Sequence, residues 1–278
     1  MFGGLSIWQP SVPISSDGFP LALNTSDLFL AFPRDRLPPN PLVRFLMKPE
    51  VVVLIVAAYL VSKPPLRFLC RTVGIDGTSY TFRMGVASHN ASLAVFSFVV
   101  FVNTLLIVVG HFVKHGTVET YCDVDGTLWG NSGLGGWATI FYISKYYEFV
   151  DTWIIVMKGR SPSTLQVYHH AGVVLSMWGA VASHGAWILI VVLLNSAIHT
   201  LMYTYYLVKT LYPEKNIGAA KYLTSAQIIQ FVAGISYCMP LHFMGERCDS
   251  ISSRVVCAFM QIYAGGLIVL FVAFAKKK

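Results

Sequence analysis

Seven stretches of the chain, 44–62, 88–113, 134–157, 168–183, 187–209, 219–241 and 255–275, are predominantly apolar. Most come close to the roughly 20 residues that a helix needs to cross a bilayer. In lipid every backbone polar group must be satisfied internally, so such a pattern leaves a bundle of membrane helices as the fold. Composition agrees: 55% of the residues are hydrophobic and only 12% are charged, where a soluble domain carries about a quarter. That is too little charge to clothe a water-soluble enzyme of this size. The fourth stretch is short, and "SKPP" cuts off the first. The first 43 residues are polar and proline-rich with no long apolar run, so no cleavable signal peptide is expected and the first span serves as its own anchor. The reading is an all-α, polytopic protein with seven transmembrane helices: a polar, lumenal segment 1–43, a membrane domain 44–275 and a basic tail 276–278.

Lysines and arginines orient the bundle. With a cytosolic C-terminus, Lys63, Arg67, Arg71, Arg83, Lys158, Arg160, Lys209, Lys215, Lys221 and the final three lysines share one side, against Arg34, Arg36, Arg44, Lys48, Lys114, Arg247 and Arg254 on the other. The formal charge of +7 reads as a cytosolic collar that attracts anionic headgroups or an anionic substrate; nothing points to nucleic acid. Cys122 in "TYCDVDG" and Cys248 in "GERCDS" fall in lumenal connections, where disulfides persist, and form a candidate pair. Asn24 in "NTS" is a candidate glycosylation site on the same side. Cys70, Cys238 and Cys257 read as small buried hydrophobes.

Ionisable groups inside a bilayer are costly and mark function by default. Here they concentrate in the second half of the chain. The third span carries "KYYEFVDT": Lys145, Glu148 and Thr152 share a helix face, with Asp151 adjacent. Lys145 and Glu148 read as an internal ion pair, which leaves Asp151 without an obvious basic partner. The fifth carries "NSAIHTLMYTYY", where Asn195, His199 and Tyr203 are four apart and Tyr206 follows a turn later. In "LTSAQIIQF", Gln227 and Gln230 are one turn apart; they suit either substrate orientation or interhelical hydrogen bonding, the latter especially for Gln230.

"TLQVYHHAGVV" puts His169 and His170 just inside the fourth span, with Gln166 one turn before them. The pattern HxxHH suggests a di-iron site, yet Gln166 occupies the first ligand position and no second box exists. A neutral amide is a poor substitute for imidazole on a transition metal, so no metal is expected. The glutamine fits better as a hydrogen bonder that fixes a ring, leaving imidazole as general base or nucleophile.

Together "KYYEFVDT", "QVYHH", "NSAIHTLMYTYY" and "TSAQIIQF" resemble, in order and spacing, the four motifs of the ELO family of very-long-chain fatty acid elongases. The match covers about 145–231. Most members carry histidine where this chain has Gln166; in having glutamine it is similar to some polyunsaturated fatty acid elongases. The resemblance implies six of seven helices around an acyl-chain tunnel and condensation of a fatty acyl-CoA, expected polyunsaturated and near C18, with malonyl-CoA. It also implies residence in the endoplasmic reticulum, no cofactor, and ketoreductase, dehydratase and enoyl reductase partners; a homodimer is a candidate assembly. In this reading His169 is the nucleophile and His170 its assistant, with Gln166 fixing a ring. His199 and Asn195 serve the oxyanion or a proton, and Lys145 offsets charge, held by Glu148 and Asp151. The alternative is a proton-coupled small membrane transporter with Lys145, Glu148, Asp151 and His199 as relay, although the internal repeat usual in such proteins is not evident.

Overall fold

The computed structural model describes residues 40–276 except 216, 246 and 247, and the backbone but not the side chain of Asn131. Asn24 and the residues before Asn40, together with the last two lysines, lie outside the described residues. The described chain forms helices α1 (Pro41–Leu46), α2 (Pro49–Val61), α3 (Lys63–Val73), α4 (Tyr80–Cys122), α5 (Leu134–Tyr147) and α6 (Phe149–Met157). They are followed by α7 (Thr164–Ser183), α8 (Ile188–Leu211), α9 (Ala220–Cys238), α10 (Leu241–Met244) and α11 (Ile251–Ala275). A π-helical turn, Thr127–Asn131, precedes α5.

Local chemistry sets the boundaries. Asn40, Ser79, Ser163 and Ser250 each accept a backbone N–H in the first turn of the helix they precede. Pro64 and Pro65 lack the N–H groups that would continue α2, and α3 departs from it at 53°. Gly116 (φ 81°, ψ −177°) interrupts α4 in a conformation that only glycine adopts readily. Asp123 closes α4 with a left-handed φ of 50°, and its two carboxylate oxygens accept the N–H groups of Leu128 and Trp129, both at 2.7 Å.

All seven apolar stretches are helical, but their capacity to cross a membrane differs. Among the described residues three helices, α4, α8 and α11, are long and apolar enough, and the bent pair α2–α3 makes a fourth candidate if it is one span. The stretch 134–157 breaks at Glu148 into α5 and α6, and α7 and α9 are diluted by the polar residues that the sequence flagged. The chain is a multi-pass membrane protein with its polarity turned inward. Val95, Phe98, Ile262 and Val269 are exposed on helix surfaces, whereas Lys145, Glu148, His170, Asn195 and His199 are buried.

Packing is most extensive between α4 and α8 and between α7 and α11, with α9 against α8 and α11 and α5 against α7. Aromatic hydrogen bonds lock the start of the bundle to its centre: Tyr142 donates to the carbonyl of Leu46 at 2.7 Å and Trp178 to that of Met47 at 2.9 Å. Cys122 and Cys248 are joined by a disulfide that ties the end of α4 to the segment leading into α11. Cys70, Cys238 and Cys257 are free and buried.

Candidate active site

Three helices, α5, α7 and α8, bring the buried polar residues together, with Glu148 at the break between α5 and α6. Lys145, at the end of α5, donates to Glu148 Oε1 at 2.7 Å and to Asn195 Oδ1, on α8, at 3.2 Å. Its Nζ lies 3.8 Å from the centre of the Phe141 ring, which adds a cation–π contact in a buried setting. With side-chain exposures of 0% and 2%, Lys145 and Glu148 form a buried ion pair of the kind whose loss on one side leaves a bare charge. His199 Nδ1 lies 3.6 Å from the same Glu148 oxygen. On α7, the ring of His169 is 6.4 Å from that of His199 and 5.3 Å from that of His170. Among the described residues, Glu148 Oε2, His199 Nδ1 and His170 Nδ1 are buried without a hydrogen-bond partner. Polar atoms left in that condition are available to a reacting group.

Glu148, His169 and His199 each place a ligand atom within 4.8 Å of the others. The Lys145 ammonium already neutralises Glu148 there and would repel a cation, so this donor set suits proton and anion handling better than metal binding.

Asp151 corrects an expectation. It does have a basic partner: His89 Nε2, on α4, is 2.7 Å from Oδ1, while Tyr203 donates to Oδ2 at 2.7 Å. His89 also meets the Tyr147 hydroxyl through Nδ1 at 3.1 Å. Glu148 makes the direct contact with Lys145, while Asp151 orders Tyr203, whose ring packs edge-on to His199 at 5.4 Å. In sequence His89 lies within the apolar stretch 88–113. Its position inside an apolar stretch was the available signal.

Other assignments also shift. Thr152 faces α2, where its hydroxyl is 2.9 Å from the hydroxyl of Tyr59. Gln227 donates to Met202 Sδ at 3.4 Å, an interhelical contact. Tyr206 is half exposed, beside Tyr203 at 6.3 Å between ring centres. Gln166 uses its backbone N–H on the Ser163 cap at 3.2 Å, and among the described residues its side chain makes no hydrogen bond to either histidine. The ring of His169 is held from α11 instead, by the hydroxyl of Tyr263. Gln230 was expected to act chiefly between helices; it lines a cavity, with Oε1 buried and unpaired.

That cavity, about 660 Å³ including its open end, begins at His169, Asn195 and Phe141. It continues past Val173, Leu194 and Phe231 to Met177, Cys238 and Cys257, between α5, α7, α8, α9 and α11. Its wall is almost wholly apolar apart from Asn195, Gln230, Gln261, Tyr263 and the histidine. An apolar pocket with a few convergent polar groups at one end suits a ligand with a long hydrocarbon tail and a reactive head.

Residues 44–278 match the family model described as ELO: GNS1/SUR4 family. A Dictyostelium discoideum protein whose name describes a fatty acid elongase is 32% identical over 226 residues, 80% of this chain and 72% of that protein. Fatty acid elongase sre1 of the same organism is 33% identical over 169 residues, 58% of this chain and 60% of the relative. Long chain fatty acid elongase 2 of Caenorhabditis elegans is 31% identical over 147 residues, 53% of each. The chain thus spans less than two-thirds of the length of the latter two.

Proposed function

The chain belongs to the GNS1/SUR4 (ELO) family of fatty acid elongases, and from that membership we propose that it is the condensing enzyme of an elongation cycle. In this reading it joins a fatty acyl-CoA to malonyl-CoA with loss of carbon dioxide and gives a 3-ketoacyl-CoA two carbons longer. The observation that carries the reading is the buried cluster of Lys145, Glu148, Asn195 and His199 beside His169, where an apolar cavity begins.

The chemistry runs as follows. His169 attacks the thioester carbon; the carbon–sulfur bond breaks, CoA leaves as thiolate and the acyl group rests on the imidazole. Malonyl-CoA then loses carbon dioxide, and the resulting enolate carbon attacks the acyl carbon and displaces His169. One proton from solvent balances the departed thiolate. Lys145 offsets the carboxylate and thioester oxygen charge in a low-dielectric setting. Asn195 accepts from Lys145 through Oδ1, which leaves its amide N–H groups to meet the oxyanion, with His199 as proton carrier. His170 assists as a second imidazole. The substrate proposed is polyunsaturated and near C18, on the strength of Gln166. The setting proposed is a seven-span bundle in the endoplasmic reticulum, served by ketoreductase, dehydratase and enoyl reductase partners.

The test is condensation by the purified full chain with labelled malonyl-CoA and a panel of acyl-CoAs differing in length and unsaturation. Label is expected in a 3-ketoacyl product and should be lost by a factor of about 10⁴ or more in His169→Ala, as when a covalent nucleophile is removed. A folded chain that extends no acyl-CoA would sink the proposal. A stable acyl adduct on the His169 peptide, formed without malonyl-CoA, separates the covalent route from direct condensation.

A further inference from the structure

A single tyrosine on α11 touches His169 twice. The Tyr263 hydroxyl donates to the backbone carbonyl of His169 at 2.8 Å, and the same oxygen lies 3.2 Å from His169 Nδ1. A hydroxyl has one proton and two lone pairs. Directed at Nδ1 instead, that proton would leave two oxygens 2.8 Å apart with nothing between them, which is repulsive. With the proton spent on the carbonyl, the hydroxyl can only accept from the ring, so Nδ1 must carry hydrogen. The neutral imidazole has only one such hydrogen, and the lone pair is then on Nε2.

The contact is built into the helix pair. A Cβ at Gly172, one turn after His169, would fall inside the Tyr263 ring. On the facing helix, a Cβ at Gly266 would collide with the Tyr168 hydroxyl. Tyr168 donates to the Tyr263 carbonyl at 3.4 Å, with the two rings 5.4 Å apart. Each tyrosine thus seats over a glycine of the opposite helix, and Tyr263 is 6% exposed.

We propose that Tyr263 is the positioning residue that holds His169 in the Nδ1–H tautomer and presents Nε2 as the nucleophile. This rests on His169 being the acyl acceptor. On acylation the Nε2–carbon bond forms as the carbon–sulfur bond breaks, and CoA leaves as thiolate. The Nδ1 proton stays in place against the Tyr263 oxygen, so the acylated ring is an imidazolium. When the enolate carbon displaces it, the ring returns to the neutral Nδ1–H form with no proton moved.

The experiment uses the full chain in micelles, as wild type, Tyr263→Phe and Gly172→Ala. One readout is the rate at which a long-chain alkyl bromomethyl ketone alkylates His169, located by peptide mass spectrometry; the other is kcat and KM for condensation. Tyr263→Phe is expected to slow both alkylation and kcat by roughly 10- to 100-fold, the range seen when a partner orienting a histidine is lost, with KM for acyl-CoA and thermal stability near wild type. Gly172→Ala, which evicts the ring but keeps the hydroxyl, should reproduce the loss. Wild-type alkylation and kcat in Tyr263→Phe, a loss carried by KM or by unfolding alone, or no labelling of His169 in the wild type would each overturn the proposal. If wild-type His169 is alkylated but the chain condenses nothing, the elongase reading fails, while the alkylation rates still decide the role of Tyr263.

Discussion

Lys145 is the residue on which the site's charge balance turns. Removing one partner of a buried ion pair typically costs about 3–5 kcal/mol, because the survivor stays buried and unpaired. Lys145→Met should therefore lower thermal stability in detergent sharply. The double variant Lys145→Met with Glu148→Leu should recover most of the stability and none of the condensation activity, which separates the pair's structural cost from its chemical use. His89→Ala should cost about 1–3 kcal/mol by stripping a buried donor from Asp151; an unfolding midpoint equal to wild type would show that the contact carries no weight. Helical spacing made Lys145, Glu148, Asn195, His199 and His169 readable from the sequence, since each motif is a short local stretch, although the one holding Lys145 and Glu148 crosses the break between α5 and α6. His89 and Tyr263 reach Asp151 and His169 across 62 and 94 residues. Tyr263 sits in an apolar span with no polar neighbour in register, so no periodicity announces it, and the two prolines after Ser62 were the only comparable cue for a bend.

Among the elements, the short connections do more than join helices. Gly77 lies in the turn between α3 and α4, where a Cβ would come within 2.6 Å of the Met157 carbonyl oxygen at the end of α6. Arg67 on α3 donates to Ser161, just beyond α6, at 3.2 Å. Together these contacts fasten the α3–α4 turn to the α6–α7 connection, next to the start of the helix that carries His169. Gly77→Ala should push the turn off that seat at a cost of about 1–3 kcal/mol, the usual range for overpacking. Its signature would be faster proteolytic cutting within 74–79 and 158–163; unchanged cutting would show that the turn has room to adjust. Apolar run length predicted where helices form but not which of them are apolar enough to cross a membrane. Residues chosen for the site lower the hydropathy of α7 and α9, and Glu148 divides α5 from α6. At 43 residues, α4 extends for about 64 Å even before its break at Gly116 is considered, far beyond a hydrocarbon core of about 30 Å.

Taken as a whole, the molecule is fastened unequally at its two ends. Cys122 and Cys248 close a covalent loop across a sequence separation of 126, and its reduction should destabilise the fold by about 2–5 kcal/mol, measured as the shift in unfolding midpoint with and without reductant. His169 and Lys145 lie toward the other end, where α7 begins and α5 finishes, and where Lys158 and Arg160 lie in the α6–α7 connection, with Arg67 hydrogen-bonded to Ser161 beside them. There the described residues join the helices through side-chain contacts and the backbone connections 74–79 and 158–163. The covalent rivet thus lies away from the histidines, and the end at which the proposed acyl carrier would be handled has no such tie among the described residues.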